Sequence, residues 1–209
     1  MGLWAERVVP RLTDRTLSGA EVGPWRDQVC AGLHGRVLEL GFGSGLNLAH
    51  YPSSVESVSA VEPSDTGWAL SADRRAASRI PVHRSGLDGQ RLAEPDASFD
   101  AVLSTFTLCT IPDAAQALAE VRRVLVTGGS LHFLEHGLAP DEGVVRWQRR
   151  LDPVQRRLFA GCHLSRDIVG LVEGAGLTVM DLERRYLPGP AVSRPWTYGY
   201  VGRAVKGAS

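Results

Sequence analysis

The stretch Val37-Leu38-Glu39-Leu40-Gly41-Phe42-Gly43-Ser44-Gly45 constrains this chain more than any other. An apolar run with strand character ends on three alternating glycines. Glycine adopts positive φ freely and lets the backbone approach a ligand with no Cβ in the way. A helix is expected to begin just after Gly45, turning its free N–H groups toward a polar or anionic group. The dinucleotide fingerprint G-x-G-x-x-G requires glycine at position 46, where Leu46 stands. The pattern is E-x-G-x-G-x-G instead, with Glu39 two residues before the first glycine.

The rest of the chain alternates short apolar runs with helical periodicity, the rhythm of a parallel sheet with crossover helices. Strands are expected at 36–40, 55–61, 80–83, 99–104 and 130–135, and helices at 64–78 and 113–125. In the second helix Ala114, Leu118, Val121 and Leu125 recur at helical spacing. Gly128-Gly129 reads as a turn. Residues 139–166 interrupt the rhythm as a basic helical stretch, which Pro153 is expected to divide into two short helices. Ser165 is the expected cap of the next helix, with its stop near Gly174–Gly176. Strands at 177–184 and 198–204, with no helix between them, predict an antiparallel edge on the sheet. Residues 1–34 precede the first strand and are expected to form a helical cap.

Length and charge narrow the class. The 209 residues suit one α/β domain, and 44% hydrophobic with 22% charged residues suits a globular protein. Lys+Arg and Asp+Glu both number 23, a balance that argues against a dedicated nucleic-acid binder. Cys30, Cys109 and Cys162 are odd in number and far apart, which argues against a disulfide framework or a cysteine zinc site and suits a reducing cytoplasm. No apolar run approaches the roughly 18 residues of a spanning helix. Gly2 is excluded as a myristoylation start by Glu6, where serine or threonine is required.

Glu62, in Val61-Glu62-Pro63, ends the second strand 17 residues after Gly45. A carboxylate there can accept from two vicinal ribose hydroxyls with charge-assisted strength. Nicotinamide enzymes place an acid similarly, so Glu62 alone does not separate the two classes.

With these residues in view, the chain resembles the class I S-adenosylmethionine (SAM)-dependent methyltransferases over roughly residues 24 to 205. The motif from Glu39 to Gly45 is similar to the family's first motif, Ala97-Ser98-Phe99-Asp100-Ala101-Val102-Leu103-Ser104 to its fourth-strand motif, and Glu120-Val121-Arg122-Arg123-Val124-Leu125 before Gly128-Gly129 to its turn into strand five. Leu108-Cys109-Thr110, Phe133-Leu134-Glu135-His136, Leu151-Asp152-Pro153, Gly161-Cys162-His163-Leu164 and the closing Arg194-Pro195-Trp196-Thr197-Tyr198-Gly199-Tyr200 resemble the thiol S-methyltransferase group and its bacterial relatives. Animal members of that group carry an N-terminal hydrophobic anchor, and no matching run stands here.

The resemblance implies an α/β, Rossmann-like class I methyltransferase fold: a mostly parallel seven-stranded sheet with an antiparallel edge strand and flanking helices. It implies a single domain, 1–209, with residues 139–166 as a helical lid insertion. SAM would be the co-substrate, held by Glu39, Gly41, Phe42, Gly43, Gly45, Glu62, Pro63, Leu87, Asp88 and Thr105. Glu39 would bond the amino group of the methionine moiety or the loop backbone. Leu87 would stack on adenine and Asp88 would accept from its exocyclic amine. The partner would be a small-molecule methyl acceptor (a thiol, a phenol or a related nucleophile), in the cytoplasm, with no nucleic acid and no transmembrane segment. Peripheral membrane contact is not favoured, and the sequence is silent on oligomeric state. The alternatives are a non-catalytic SAM-binding sensor or scaffold and a nicotinamide-dependent oxidoreductase.

Methyl transfer from an activated donor needs a base only where the acceptor must lose a proton. His136, just past the fifth strand, is the first candidate base, and His163 the second. No metal is expected. His132-Phe133-Leu134-Glu135-His136 matches H-x-x-E-H, but that pattern works on a helix, and residues four apart on a strand stand about 13 Å apart. Cys109, among Phe106, Leu108 and Ile111, reads as a small buried hydrophobe. Arg146, Arg149, Arg150, Arg156 and Arg157 read as a solvated face, or else as a cap that meets an anionic acceptor or membrane surface. Trp147, Leu151, Val154 and Leu158 are expected to be core or pocket lining.

Overall fold

In the computed structural model, which describes residues 3–208, the strands are β1 (Gly35–Leu40), β2 (Val55–Val61), β3 (Val82–Gly86), β4 (Phe99–Thr105), β5 (Leu125–His136), β6 (Thr178–Tyr186) and β7 (Tyr198–Val205). They form one sheet in the order β3-β2-β1-β4-β5-β7-β6. β1 pairs in parallel with β2 and β4, β2 with β3, and β4 with β5. β7 runs antiparallel to both β5 and β6. The antiparallel closure therefore lies at that edge, with β7 the reversed strand and β6 outermost. Strand order changes direction between β1 and β4, and the crevice at their carboxyl ends is where open α/β sheets bind ligands. Gly2, considered as an acylation start, lies outside the described residues.

Alternate residues of the central strands feed two cores, as a sheet covered on both faces requires. Leu38, Leu40, Val102, Leu131 and Phe133 join Leu118 and Val121 in one. Val37, Ala101, Leu103 and Leu134 join Trp25 and Val29 in the other. The helices that supply these partners are α5 (Ala114–Val124) and α2 (Gly23–Cys30). A π-helical turn (Trp4–Val8) and α1 (Val9–Leu17) come before α2.

Several local expectations change. No α-helix follows the glycine loop: residues 41–54 hold only a 3-10 turn, Leu48–His50. This segment must leave β1 and return to the start of β2, and Pro52 stands where a helix would have to continue. The helix expected at 64–78 is two, α3 (Asp65–Leu70) and α4 (Ala72–Ala77). They part at Ser71, whose hydroxyl donates to the Trp68 carbonyl at 2.7 Å and competes with the helix ladder. Pro153 does not divide the basic segment: α6 runs unbroken from Glu142 to Leu158 with the proline inside it. The carbonyl that loses its bond there belongs to Arg149, which is exposed, so water can satisfy it. Asp167, not Ser165, caps α7 (Ile168–Gly174), accepting from Gly170 N at 3.1 Å. Trp147, Val154 and Leu158 are exposed rather than core. Trp147 and Leu151 line a second, smaller groove with Val192 and Trp196 of the connection to β7, which includes α8 (Arg194–Thr197). Gln148 is the buried residue of α6, and it fastens the helix by bonds to Ala139 N, Gly137 O and Pro195 O.

Glu39 is wholly buried at the end of β1. Its carboxylate accepts from Asn47 Nδ2 at 2.6 Å and from the Tyr51 hydroxyl. Burial raises its pKa to about 7, with the bonds from Tyr51 and Asn47 and the charge of Arg26 acting against that rise.

Two predictions follow from this packing. A Cβ on Gly202 would stand 2.3 Å from Phe133 Cζ, so Gly202→Ala overpacks the β5–β7 contact. It should cost about 1–3 kcal/mol in urea unfolding. Glu39 binds its proton more tightly folded than unfolded, so its contribution is greatest below about pH 4.5 and is lost as pH rises toward about 7. Glu39→Gln should therefore gain stability relative to wild type between pH 5 and pH 8 in paired thermal melts. Parallel pH profiles would show that Glu39 is ionised throughout.

Candidate active site

A cavity of about 830 Å³ opens at the carboxyl ends of β1, β2 and β4, toward the upper end of the roughly 300–1,000 Å³ usual for small-molecule sites. Gly41, Phe42, Gly43, Glu62, Pro63, Leu87, Asp88 and Thr105 all line it. Glu39 and Gly45 do not. Glu39 lies beneath the loop on Asn47 and Tyr51, and a Cβ on Gly45 would crowd Leu48, Phe42 and Ser71 at 3.1–3.2 Å.

The glycines serve different needs. Gly41 has φ +67°, and a Cβ there would fall 2.0 Å from Thr107 Oγ1, so glycine lets the loops after β1 and β4 touch. Gly43 has φ +56°, and its missing Cβ would meet only Gly41 O, at 3.9 Å. The loop thus turns bare backbone at Gly43 toward the cavity, where a ligand can approach it. Phe42 is buried behind the loop with its ring 5.5 Å from that of Trp68.

Glu62 is 5% exposed and ties two loops together. Its Oε2 accepts from Gly43 N at 2.6 Å and its Oε1 from Ser64 N at 2.7 Å. Burial raises its pKa, against the lowering effect of those two N–H groups and Arg84. Each oxygen keeps a further lone pair for a ligand hydroxyl. Leu87 is 60% exposed at the cavity rim. Asp88 Oδ1 is occupied by Gln90 N at 2.9 Å and Gln90 Nε2 at 3.1 Å.

Two polar residues of the cavity wall were not anticipated. Arg26, from α2, is 4% exposed and lines the cavity. It donates to Asn47 Oδ1 and to Thr105 Oγ1, the latter at 3.5 Å. Asn47 Nδ2 also donates to Thr105 Oγ1, at 2.9 Å. Asn47 had a local signal, being polar in the turn after the glycines. Arg26 had none, because nothing in its own segment points to a loop 21 residues on. Further over the loop, Asp14 Oδ1 accepts from Ser44 Oγ at 2.6 Å and Arg74 Nη1 at 2.9 Å, holding α1 against it.

The opposite wall combines the loop after β4 with the end of the basic segment: Thr107, Thr110, Ile111, Arg156, Gly161 and His163. Glu135, wholly buried on β5, shapes it by accepting at Oε1 from Ser104 Oγ, Thr107 N and Leu108 N. His163 Nδ1 is 3.4 Å from Asp152 Oδ2. Burial, then Arg166, lowers the His163 pKa below its ordinary value. His136 is not among the lining residues, and its Nε2 lies 3.0 Å from Cys162 Sγ, behind the wall. His132 faces elsewhere, with Nδ1 on Val29 O at 2.9 Å.

Among the described residues no helix is long and apolar enough to cross a membrane. A family profile described as a methyltransferase domain matches residues 38–133. The chain is 33% identical over 176 residues to thiol S-methyltransferase TMT1B of Rattus norvegicus, an alignment covering 81% of this chain and 70% of that one. It is 31% identical over 183 residues to thiol S-methyltransferase TMT1A of Homo sapiens, covering 83% and 74%. A solved S-adenosylmethionine-dependent methyltransferase from Mesorhizobium loti superposes with a TM-score of 0.66 at 18% identity, over 90% of this chain and 99% of that one. Likeness of this extent along most of the sequence, on a sheet of this strand order, makes the chain a member of the class I SAM-dependent methyltransferases.

Proposed function

We propose that this enzyme methylates small-molecule thiols in a reducing cytoplasm, with His163 as the base that takes the thiol proton. The acceptor class is supported by the relatives, which are thiol S-methyltransferases by name. The observation that carries the assignment of the base is His163 on the cavity wall with Asp152 beside its Nδ1. A carboxylate there orients the ring and stabilises its cationic form, leaving Nε2 to accept a proton. His136 is set aside as the base because its Nε2 faces Cys162. A reducing compartment suits the three cysteines, all free and buried.

In this reading Glu62 accepts from the ribose hydroxyls with its remaining lone pairs, Leu87 covers adenine, and Asp88 offers Oδ2 to the exocyclic amine. Arg26 meets the carboxylate of the methionine moiety, and Asn47 and Thr105 fix Arg26 in place. Gly41, Phe42 and Gly43 shape the backbone beneath, while Glu39 and Gly45 support the loop from below. Bound SAM supplies an electrophilic methyl whose departure leaves a neutral thioether. The protein's own task is alignment and exclusion of water. Thr110, Ile111 and Arg156 hold the acceptor so that its sulfur reaches the methyl carbon, and His163 removes the sulfur's proton. A thiol, with an ordinary pKa of about 8.5, needs modest help; a phenol, near 10, needs more. A SAM-turnover screen across thiols, phenols, quinols and lipid amines tests the acceptor class, and turnover of phenols in preference to thiols would refute it.

Gly43→Val should abolish measurable SAM binding in calorimetry while circular dichroism still reports a folded protein, because Gly43 lines the cavity at φ +56°, a conformation a β-branched residue resists. A folded mutant with wild-type affinity would remove the loop from the cofactor site. His163→Gln should lower kcat/KM for alkyl thiols by roughly 100-fold or more, in line with general-base contributions of about 10²–10⁴. Aryl thiols already ionised at the assay pH should lose far less, and SAM affinity should not change. Equal losses for both thiol types would deny His163 the role of base.

A further inference from the structure

The end of β5 gathers reactive groups that methyl transfer leaves unused. His136 Nε2 is 3.0 Å from Cys162 Sγ, and Cys162 Sγ is 3.9 Å from Cys109 Sγ. One ligand atom from each of these three residues lies within 4.8 Å of the other two. They converge from three elements: β5, the loop after β4, and the stretch between α6 and α7. Cys109 and Cys162 are 1% and 7% exposed. Cys162 Sγ also lies 3.6 Å from Gln155 Nε2. Next in the chain, Glu135 is wholly buried, and its Oε2 has no partner among the described residues.

We propose that Cys109, Cys162 and His136 form a binding site for one zinc ion. Thiolate and imidazole are the donors that select this borderline-soft dication. With Zn–S near 2.3 Å and Zn–N near 2.0 Å, a tetrahedron has an S···S edge of about 3.8 Å and an N···S edge of about 3.5 Å. The sulfur pair already has this spacing. The imidazole must draw back from Cys162 by about half an ångström and settle at the same distance from Cys109, from which it now stands no more than 4.8 Å away, a side-chain adjustment. Binding releases the protons of the two thiols and takes neutral imidazole, and the dication balances the two thiolates beside the buried Glu135. Three protein ligands leave one position for water or an outside ligand. No methyl-transfer step runs through the ion. It would tie the stretch carrying Gly161 and His163 to β5 and to the loop carrying Thr110, fixing the acceptor wall.

Cobalt(II) is the probe, because thiolate ligation gives it charge-transfer absorption that zinc lacks. Reduced, metal-stripped full-length protein should develop these bands with tetrahedral d–d bands at one equivalent of cobalt. Zinc should abolish both and raise the melting temperature. Cys162→Ser and Cys109→Ser should weaken cobalt by more than the roughly 10–100-fold lost with an outer-shell partner. Cys30→Ser, a buried cysteine outside the cluster, should bind as wild type. SAM affinity, measured separately, should survive in Cys109→Ser, so failure here and failure of the cofactor assignment give different results. Absence of charge-transfer bands at stoichiometric cobalt, or equal losses in Cys30→Ser and Cys162→Ser, would overturn the site. So would a Cys109–Cys162 disulfide formed by oxidised glutathione in a protein that takes up no cobalt when reduced, which would make the sulfurs a redox pair.

Discussion

The arrangement of the cavity depends on a carboxylate that spans two loops. Glu62 accepts from Gly43 N with one oxygen and from Ser64 N with the other. Those N–H groups belong to the connections after β1 and β2, which Gly41 N and Phe42 N also hold together by donating to Val61 O. The groups on Gly43 and Ser64 are freed by the sharp turns that end the strands, and a buried donor without a partner is costly. One side chain satisfies both and sets the width of the crevice. Arg84 closes the same corner from β3, donating twice to the Glu62 carbonyl and once to Asp65. Three neighbouring strand ends are thereby locked before any ligand arrives, which is what preorganisation of a binding site demands.

Glu135 does the equivalent work on the other side, drawing Thr107 N and Leu108 N down onto the end of β5. Glu39 supports the middle through Asn47, which passes the connection on to Thr105 and Arg26. The three acids sit at or just past the ends of β1, β2 and β5, where the sheet stops pairing and the backbone needs acceptors. Each is buried against its own desolvation, and each is raised in pKa for that reason. The sheet supplies rigidity, and these acids carry it one residue further into the loops.

Much of this was legible in the chain because its causes are local. β1, β2 and β4 are buried along most of their length and rich in apolar residues, so they could be read within a residue or two of their ends. Gly41 and Gly43 announced a close approach because only glycine meets it. The expected helix after Gly45 failed on length, since residues 41–54 cannot hold a loop, a helix and the return to β2. Pro153 was misread because a proline costs little where the orphaned carbonyl meets water. Convergence across elements left no trace in spacing. Arg26 reaches Thr105 from 79 residues away, and Cys162 meets Cys109 from 53. Sequence ranked His136 before His163 for its place just past the fifth strand, and could not foresee that His163 lines the cavity while His136 turns to Cys162 behind it.

β7 lies between β5 and β6 although it follows both in the sequence. Among the described residues β6 has no other neighbour in the sheet, and β5 has only β4 on its other side. During synthesis, then, β1 to β5 can pair as they leave the ribosome, while residues 178–186 emerge with no strand to accept them. The edge of β5 also stays open until residues 198–205 arrive and insert between the two. An unpaired strand beside an open edge is a template for other chains. Until β7 arrives, β6 and the edge of β5 are therefore the parts of this sheet most open to pairing with a neighbouring chain on a polysome.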